Sequence, residues 1–284
     1  MKLLNFKILS IFILVQFPAT VNCMLKALNT AAAGMTAQEA NVNTISNNIA
    51  NVNTNGFKRD RAEFDDLLYE TVVPAGGRSS NNTRYNVGVQ IGTGAKVSAI
   101  RKEFSTGNPI ITNNPFDLMI NGDGFFGIIL PSNEIRYTRD GAFNIDSLGT
   151  LVTKNGYKVF PGITVPAGTA NVVIGENGSV EAYLKNVVQP INAGTIPIFL
   201  FTNPVGLKST GGNLYQISQA SGPPVQQIPG QSNAGQINQG TLESSNVSIM
   251  VEMTNLIKAQ RAYEMNSKVM GVADQMLQTV NNIR

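Results

Sequence analysis

From residue 248 to residue 284 the chain has no proline and a single glycine, and Ile249, Leu256, Tyr263, Met270 and Leu277 recur every seven residues with Met253 beside them. A seven-residue apolar repeat keeps one seam aligned along a supercoiled helix. This end is therefore expected to be a helix that packs against other helices. Gln260, Ser267 and Asp274 are polar at the four-residue step where a second seam line would stand. The stripe is narrow, suited to helix contact rather than burial inside a globule. Asn246 or Ser248 can cap the helix start, and Glu252 falls in the electropositive first turn.

The other end has the same character. Residues 25–54 lack proline and carry one glycine, Gly34, with Leu25, Leu28, Ala32, Met35, Val42, Ile45 and Ile49 at helical spacing. Asn43, Asn47, Asn48 and Asn51 occupy the other faces. Asn53-Thr54-Asn55-Gly56 then supplies the glycine that ends helices. Ahead of this helix, residues 1–23 begin with Lys2 and Lys7 and continue through Ile8-Leu9-Ser10-Ile11-Phe12-Ile13-Leu14-Val15. A basic start and a short apolar run fit a secretory leader, too short for a membrane span. They equally fit sequence read in frame upstream of a start at Met24.

The middle of the chain follows a different rule. From about 86 to 242, short β-type runs such as Phe125-Phe126-Gly127-Ile128-Ile129, Tyr157-Lys158-Val159-Phe160 and Ile196-Pro197-Ile198-Phe199-Leu200-Phe201 alternate with turn dipeptides. Asn121-Gly122, Asp140-Gly141, Asn155-Gly156, Asn177-Gly178 and Gly211-Gly212 each read as a tight hairpin turn, because they supply positive φ angles. Residues 74–85 read as a flexible loop, and the Gly-, Pro-, Gln- and Ser-rich stretch that follows the β runs reads as a linker. The expected plan is a leader at 1–23, a helix at 24–56, and an extended segment with the start of a β body at 57–106. A central β domain at 107–217, a linker at 218–245 and a helix at 246–284 complete it. The fold class is α+β, with terminal helices in a coiled-coil layer and a central antiparallel β-rich domain.

Composition narrows the chemistry. The chain has no His, and its single Cys is Cys23, so Ser-His-Asp and Cys-His catalysis, His-ligated metals and intramolecular disulfides are all excluded. A net charge of +3 on a chain with 14% charged residues is too weak a field to argue for nucleic acid or an anionic membrane. Asp117 and Asp123 flank Asn121-Gly122 without EF-hand spacing, and they read as turn carboxylates of a hairpin. The glycine-rich run Gly88–Gly94 lacks the Lys-Ser/Thr of a phosphate loop and reads as a strand passing a bend. Glu63, Asp65 and Asp66 follow Lys58-Arg59-Asp60-Arg61, which together read as a solvated mixed-charge surface. Lys258, Arg261 and Glu264 lie three apart beside the seam, and either pair with neighbouring subunits or form a wet helix face. No residue set supports a catalytic, metal or cofactor site.

Two terminal motifs carry a resemblance. Ile45-Ser46-Asn47-Asn48-Ile49-Ala50-Asn51-Val52-Asn53-Thr54-Asn55-Gly56-Phe57-Lys58 resembles the N-terminal signature of bacterial flagellar rod and hook proteins. Glu252-Met253 together with Gln260-Arg261-Ala262-Tyr263-Glu264-Met265-Asn266-Ser267-Lys268 resembles the C-terminal motif of that family. Gly107-Asn108-Pro109, Asn121 to Phe126, Tyr137 to Phe143, Gly211 to Tyr215 and Gln239 to Val247 resemble the body of its distal-rod members. The resemblance covers 24–284 and places the start at Met24. It implies a structural subunit, exported unfolded through the flagellar type III apparatus, that forms a helical homopolymer spanning the periplasm. It also implies contacts with proximal rod proteins, with the hook protein or a hook-side junction, and with the L- and P-ring proteins. No nucleic acid, small-molecule substrate or cofactor is implied. The seam residues Leu25, Leu28, Met35, Val42, Ile49, Ile249, Met253, Leu256, Tyr263, Met270 and Leu277 are the expected assembly interface. One isolated pair of helices buries too little apolar surface to offset the entropy of ordering it, so the ends are expected to order fully only among neighbouring copies.

Overall fold

The computed structural model describes residues 2–282 apart from 77, 81, 82, 85, 186–188 and 232. Two helices, α1 (Lys2–Ala50) and α2 (Ile249–Asn282), bracket a long series of short strands, and every described strand register is antiparallel. The fold is α+β. Two compact units divide the chain: the first comprises Met1–Ser46, Arg61–Arg101 and Met250–Arg284, the second Asn47–Asp60 and Lys102–Ile249.

The first unit holds most of both helices and three small antiparallel pairs. These are Asp60–Asp66 with Ala95–Lys102, Tyr69–Val73 with Val89–Gly92, and Arg78–Ser80 with Thr83–Arg84. α1 is longer than expected, running without a break from Lys2 through the leader, whose side chains lie outside the described residues. It stops at Ala50, short of 56, and side-chain hydrogen bonds hold the turn that follows. Asn51 Nδ2 donates to Asn47 O at 2.9 Å, and Thr54 Oγ1 donates to Asn51 Oδ1 at 3.2 Å. The segment read as a loop at 74–85 contains two of the short strands.

The second unit is built on a nine-stranded antiparallel sheet. Its centre is the strand Phe125–Ile129, which pairs with Ile135–Thr138, Lys158–Val159 and Ile198–Leu200. Successive side chains of a strand point to opposite faces. Phe126 and Ile128 accordingly enter one core cluster with Leu118, Phe143 and Ile198, while Phe125 enters another with Tyr137, Phe199, Leu207 and Tyr215. The second cluster is held by edge-to-face aromatic pairs with centroids 4.9–5.8 Å apart. The sheet is thus buried on both faces. A three-stranded meander, Thr169–Ile174, Ser179–Leu184 and Ile191–Thr195, adds Val172, Ile174, Val180 and Ala182 to the first cluster.

Three of the expected hairpins form. Asn155-Gly156, Asn177-Gly178 and Gly211-Gly212 connect paired strands, with φ of +80° at Gly156 and +78° at Gly178. The other two are not hairpins. Leu118–Asn121 pairs with Gln236–Gln239, so Asn121-Gly122-Asp123-Gly124 carries the chain from one sheet to another. A Cβ on Gly124 would stand 2.0 Å from Ile198 Cγ2, and this close approach, rather than a tight turn, is what requires glycine there. Asp140-Gly141 likewise joins strands that pair elsewhere. Nor is 218–245 a linker: it contributes Val225–Gln227, Gln236–Gln239 and Thr241–Glu243 to three ladders, and buries Ile237 and Leu242. Its polar composition hides this because one apolar residue per strand is enough for a two-stranded edge.

Candidate assembly interface and a buried charge clamp

On α2 the buried side chains are Glu252, Ala259 and Ala273, with Asn266 half-buried, and these four recur every seven residues. This is the second seam line, placed three residues after Leu256, Tyr263 and Met270 rather than four. Leu256, Met270 and Leu277 are half-buried beside it, while Ile249, Met253 and Tyr263 remain exposed. On α1, Ala31, Ala37, Thr44 and Ile45 are buried. Leu28, Met35, Val42 and Ile49 are half-buried and Leu25 is exposed. The helices come close together at this line. A Cβ on Gly34 would lie 2.8 Å from Asn266 Nδ2. The sequence carries little signal for this line, because two alanines fourteen residues apart with Glu252 and Asn266 in the same register show almost no hydrophobic contrast.

A different stripe of α2 is unpartnered. Met250, Ile257, Met265, Val269, Val272 and Met276 are all exposed, Met250 by 78% and Met265 by 68%. At about 100° per residue Met250 and Ile257 lie roughly opposite the line of Glu252, Ala259 and Ala273, while Val269 and Met276, four residues before and three after Ala273, flank it. Arg261 interrupts the stripe four residues from Ile257 and four from Met265, and is exposed together with Gln260. Lys258, Arg261 and Glu264 form no ion pair among the described residues. A row of large apolar side chains on an exposed helix face marks an interaction surface.

Within the second unit, the residues after α1 and those before α2 meet in a clamp. Asn48 treats the backbone of Asp60 as a strand neighbour would: its Nδ2 donates to Asp60 O at 2.7 Å and its Oδ1 accepts from Asp60 N at 2.9 Å. Asn246 does not cap α2. Its Oδ1 accepts from Arg59 N at 2.7 Å and its Nδ2 donates to Glu103 O at 2.8 Å. Gly56 donates its N–H to Glu243 O at 2.8 Å and sits at φ +66°. A Cβ there would stand 2.7 Å from the carbonyl carbon of Arg139, so only glycine fits. Phe57 is buried with the Lys102 ammonium 5.4 Å from its ring centre.

At the centre are three buried charges. Lys58 is 0% exposed, Glu243 1% and Arg139 2%. Lys58 Nζ donates to Glu243 Oε1 at 2.6 Å and to Ser105 O at 2.7 Å, and Gly107 N donates to the same Oε1 at 2.9 Å. Arg139 Nη2 donates to Gly122 O at 2.8 Å, and Nη1 faces Glu243 Oε2 at 3.5 Å without forming a hydrogen bond to it. Lys58 therefore does not belong to a solvated surface. Burial pulls its ammonium below the ordinary lysine value, and the Glu243 carboxylate partly restores it. Burial likewise raises the phenol of nearby Tyr215. Glu243 sits between the two cations, and the Asp123 carboxylate also acts on both of them. Asp117, by contrast, is a structural knot, accepting from Thr112 Oγ1 at 2.6 Å and Asn114 Nδ2 at 3.0 Å.

Comparison with known proteins identifies the chain's relatives. Residues 28–58 match the flagella basal body rod protein family, 119–182 the flagellar hook protein FlgE/F/G D1 domain, and 238–283 the flagellar basal body rod FlgEFG protein C-terminal region. Flagellar basal-body rod protein FlgG of Borreliella burgdorferi is 47% identical over 92% of this chain and 99% of its own length. The FlgG proteins of Caulobacter vibrioides and of Buchnera aphidicola from Schizaphis graminum are 46% and 45% identical over 92% of this chain and all of theirs. The chain belongs to the FlgG family of flagellar basal-body rod proteins. It is a structural subunit of the bacterial flagellum, located in the basal-body rod.

Within the FlgG framework, the N-terminal motif residues have clear structural work. Asn48, Asn51, Thr54, Gly56 and Phe57 build the turn and the clamp, while Ala50 and Asn53 are exposed. The C-terminal motif residues Gln260, Arg261 and Tyr263 lie on the exposed part of α2, and Ala262 is half-buried. Sequence reasoning placed Lys58 at the surface and gave no role to Arg139 or Glu243. Lys58 and Glu243 are 185 residues apart, a separation over which local patterns carry no information. Each of the three family-matched regions supplies one charge of the clamp.

Proposed function

We propose that the chain is a distal-rod subunit whose copies polymerise through their helical ends into an open tube that crosses the periplasm and carries torque from the motor to the hook. No chemical step is involved. The observation that supports this most is the exposed stripe Met250, Ile257, Met265, Val269, Val272 and Met276 on α2 of a rod-family chain. A heterologous contact that repeats without closing buries such a stripe in every copy and generates a helical polymer. Leu25, Ile249, Met253 and Tyr263 join the same contact, and the half-buried Leu28, Met35, Val42, Ile49, Leu256, Met270 and Leu277 complete their burial against neighbours. Proximal rod proteins, a hook-side junction, the L and P rings and the type III export apparatus are the proposed flagellar partners.

The test is Met265→Asp combined with Val269→Asp, both on exposed positions. Sedimentation of the purified chain is expected to show wild-type particles that grow with concentration, and a folded variant that stays monomeric. Polymers of wild-type length from the variant would sink the reading. Wild-type growth that stopped at three chains would point instead to a secreted adhesin-like module.

A further inference from the structure

Buried charges are an unusual stabilising element. Buried ion pairs replaced by well-packed apolar groups are often no less stable, and their best-attested use is to fix register. Here two cations are buried around one carboxylate, with Asp123 adding its negative charge from an exposed position. What the cluster does achieve is directional. Glu243 Oε1 gathers Lys58 Nζ and Gly107 N, Lys58 reaches Ser105 O, and Arg139 reaches Gly122 O. The chain before α2, the chain after α1 and two loops of the β unit are thereby held in one geometry by bonds of fixed length and angle. Apolar contacts cannot supply that, because burial is non-directional. Gly56, locked against the backbone of Arg139, permits no other path.

We infer that Lys58, Glu243 and Arg139 act as positioning residues for assembly, fixing the crossing of segments 51–60 and 243–248 in the same geometry in every copy. This rests on the reading of the chain as a self-polymerising subunit. A repeating heterologous contact extends only if each subunit repeats the same geometry, so a small variation at the crossing accumulates along the polymer.

Two variants separate positioning from stability. Glu243→Asp keeps the charge and withdraws the carboxylate by one methylene. Lys58→Met removes one cation with its two hydrogen bonds and leaves Glu243 facing Arg139. Folded fraction is read by circular dichroism and thermal unfolding, and polymer length and onset by sedimentation and electron microscopy, at a temperature where each chain is fully folded. Lys58→Met is expected to melt several degrees lower, because it removes one partner of a buried pair, and, where fully folded, to need at least about tenfold more protein to assemble. Glu243→Asp is expected to melt a few degrees lower, with the same assembly defect. Assembly of folded Lys58→Met at the wild-type onset would overturn the inference, as would a defect in either variant that only tracks its unfolded fraction. Failure of the wild-type chain itself to polymerise would instead sink the reading of the previous subsection.

Discussion

The two units of this chain solve the burial problem in opposite ways. The β unit satisfies itself. Leu118, Phe126, Ile128, Val159, Ala182, Ile196 and Ile198 are wholly enclosed, and strands close on one another through residues as distant as Leu118 and Gln239. The helical unit does not. Its shared line is made of alanines, Asn266 and Gly34, while its larger apolar side chains at Met250, Met265, Val269 and Met276 face outward. One region is complete within a chain and the other is built to be completed by something else. That division suits a subunit that must fold alone and then be held in a polymer.

Substitutions can break this contrast, beginning where the loss should be greatest. Phe126→Ala opens a cavity in the first cluster and is expected to cost about 3–5 kcal/mol in urea unfolding. A loss below about 1 kcal/mol would mean that the β unit is not the self-sufficient region. Gly56→Ala forces a Cβ into the Arg139 backbone at positive φ, with an expected cost of about 1–3 kcal/mol. Met265→Asp should change the stability of the single chain by no more than about 0.5 kcal/mol, since the side chain is already exposed, while weakening polymer formation. A large stability loss there would show that the outer face of α2 is used within the chain.

The smallest effect is a pH dependence. The folded state holds the Lys58 ammonium below the ordinary value of 10.5, so between the two values the unfolded chain binds a proton that the native chain lacks. Stability from this group therefore rises with pH across that window and is flat below it. The buried phenols of Tyr137 and Tyr215, raised by burial, act oppositely above the ordinary tyrosine value of 10.0. They cancel when wild type is compared with Lys58→Met by chemical denaturation across pH. A wild-type-minus-variant difference that fell with rising pH would contradict the burial of Lys58.

Legibility followed distance along the chain. The ends were readable as helices, and the Asn155, Asn177 and Gly211 turns as hairpins, because helical period and positive φ are properties of a few consecutive residues. Asn121-Gly122 and Asp140-Gly141 carry the same local signal but join strands in different ladders, which only the partners at Gln236–Gln239 and Leu151–Thr153 decide. The polar stretch at 218–245 misled for the same reason. Of the seam, the large line at Leu256, Met270 and Leu277 was visible, and the small line at Ala259, Asn266 and Ala273 was not.

By itself the sequence determined that both ends are helices, the C-terminal one with a seven-residue repeat, that the middle is antiparallel β, and that no histidine chemistry and no intramolecular disulfide is open to the chain. Tertiary structure alone decided which helix face stays exposed and that Lys58, read as a surface charge, is wholly buried against Glu243 and near Arg139. Backbone preference is settled within a turn or two of chain, whereas burial depends on which distant segments arrive beside a residue, and no local pattern encodes that.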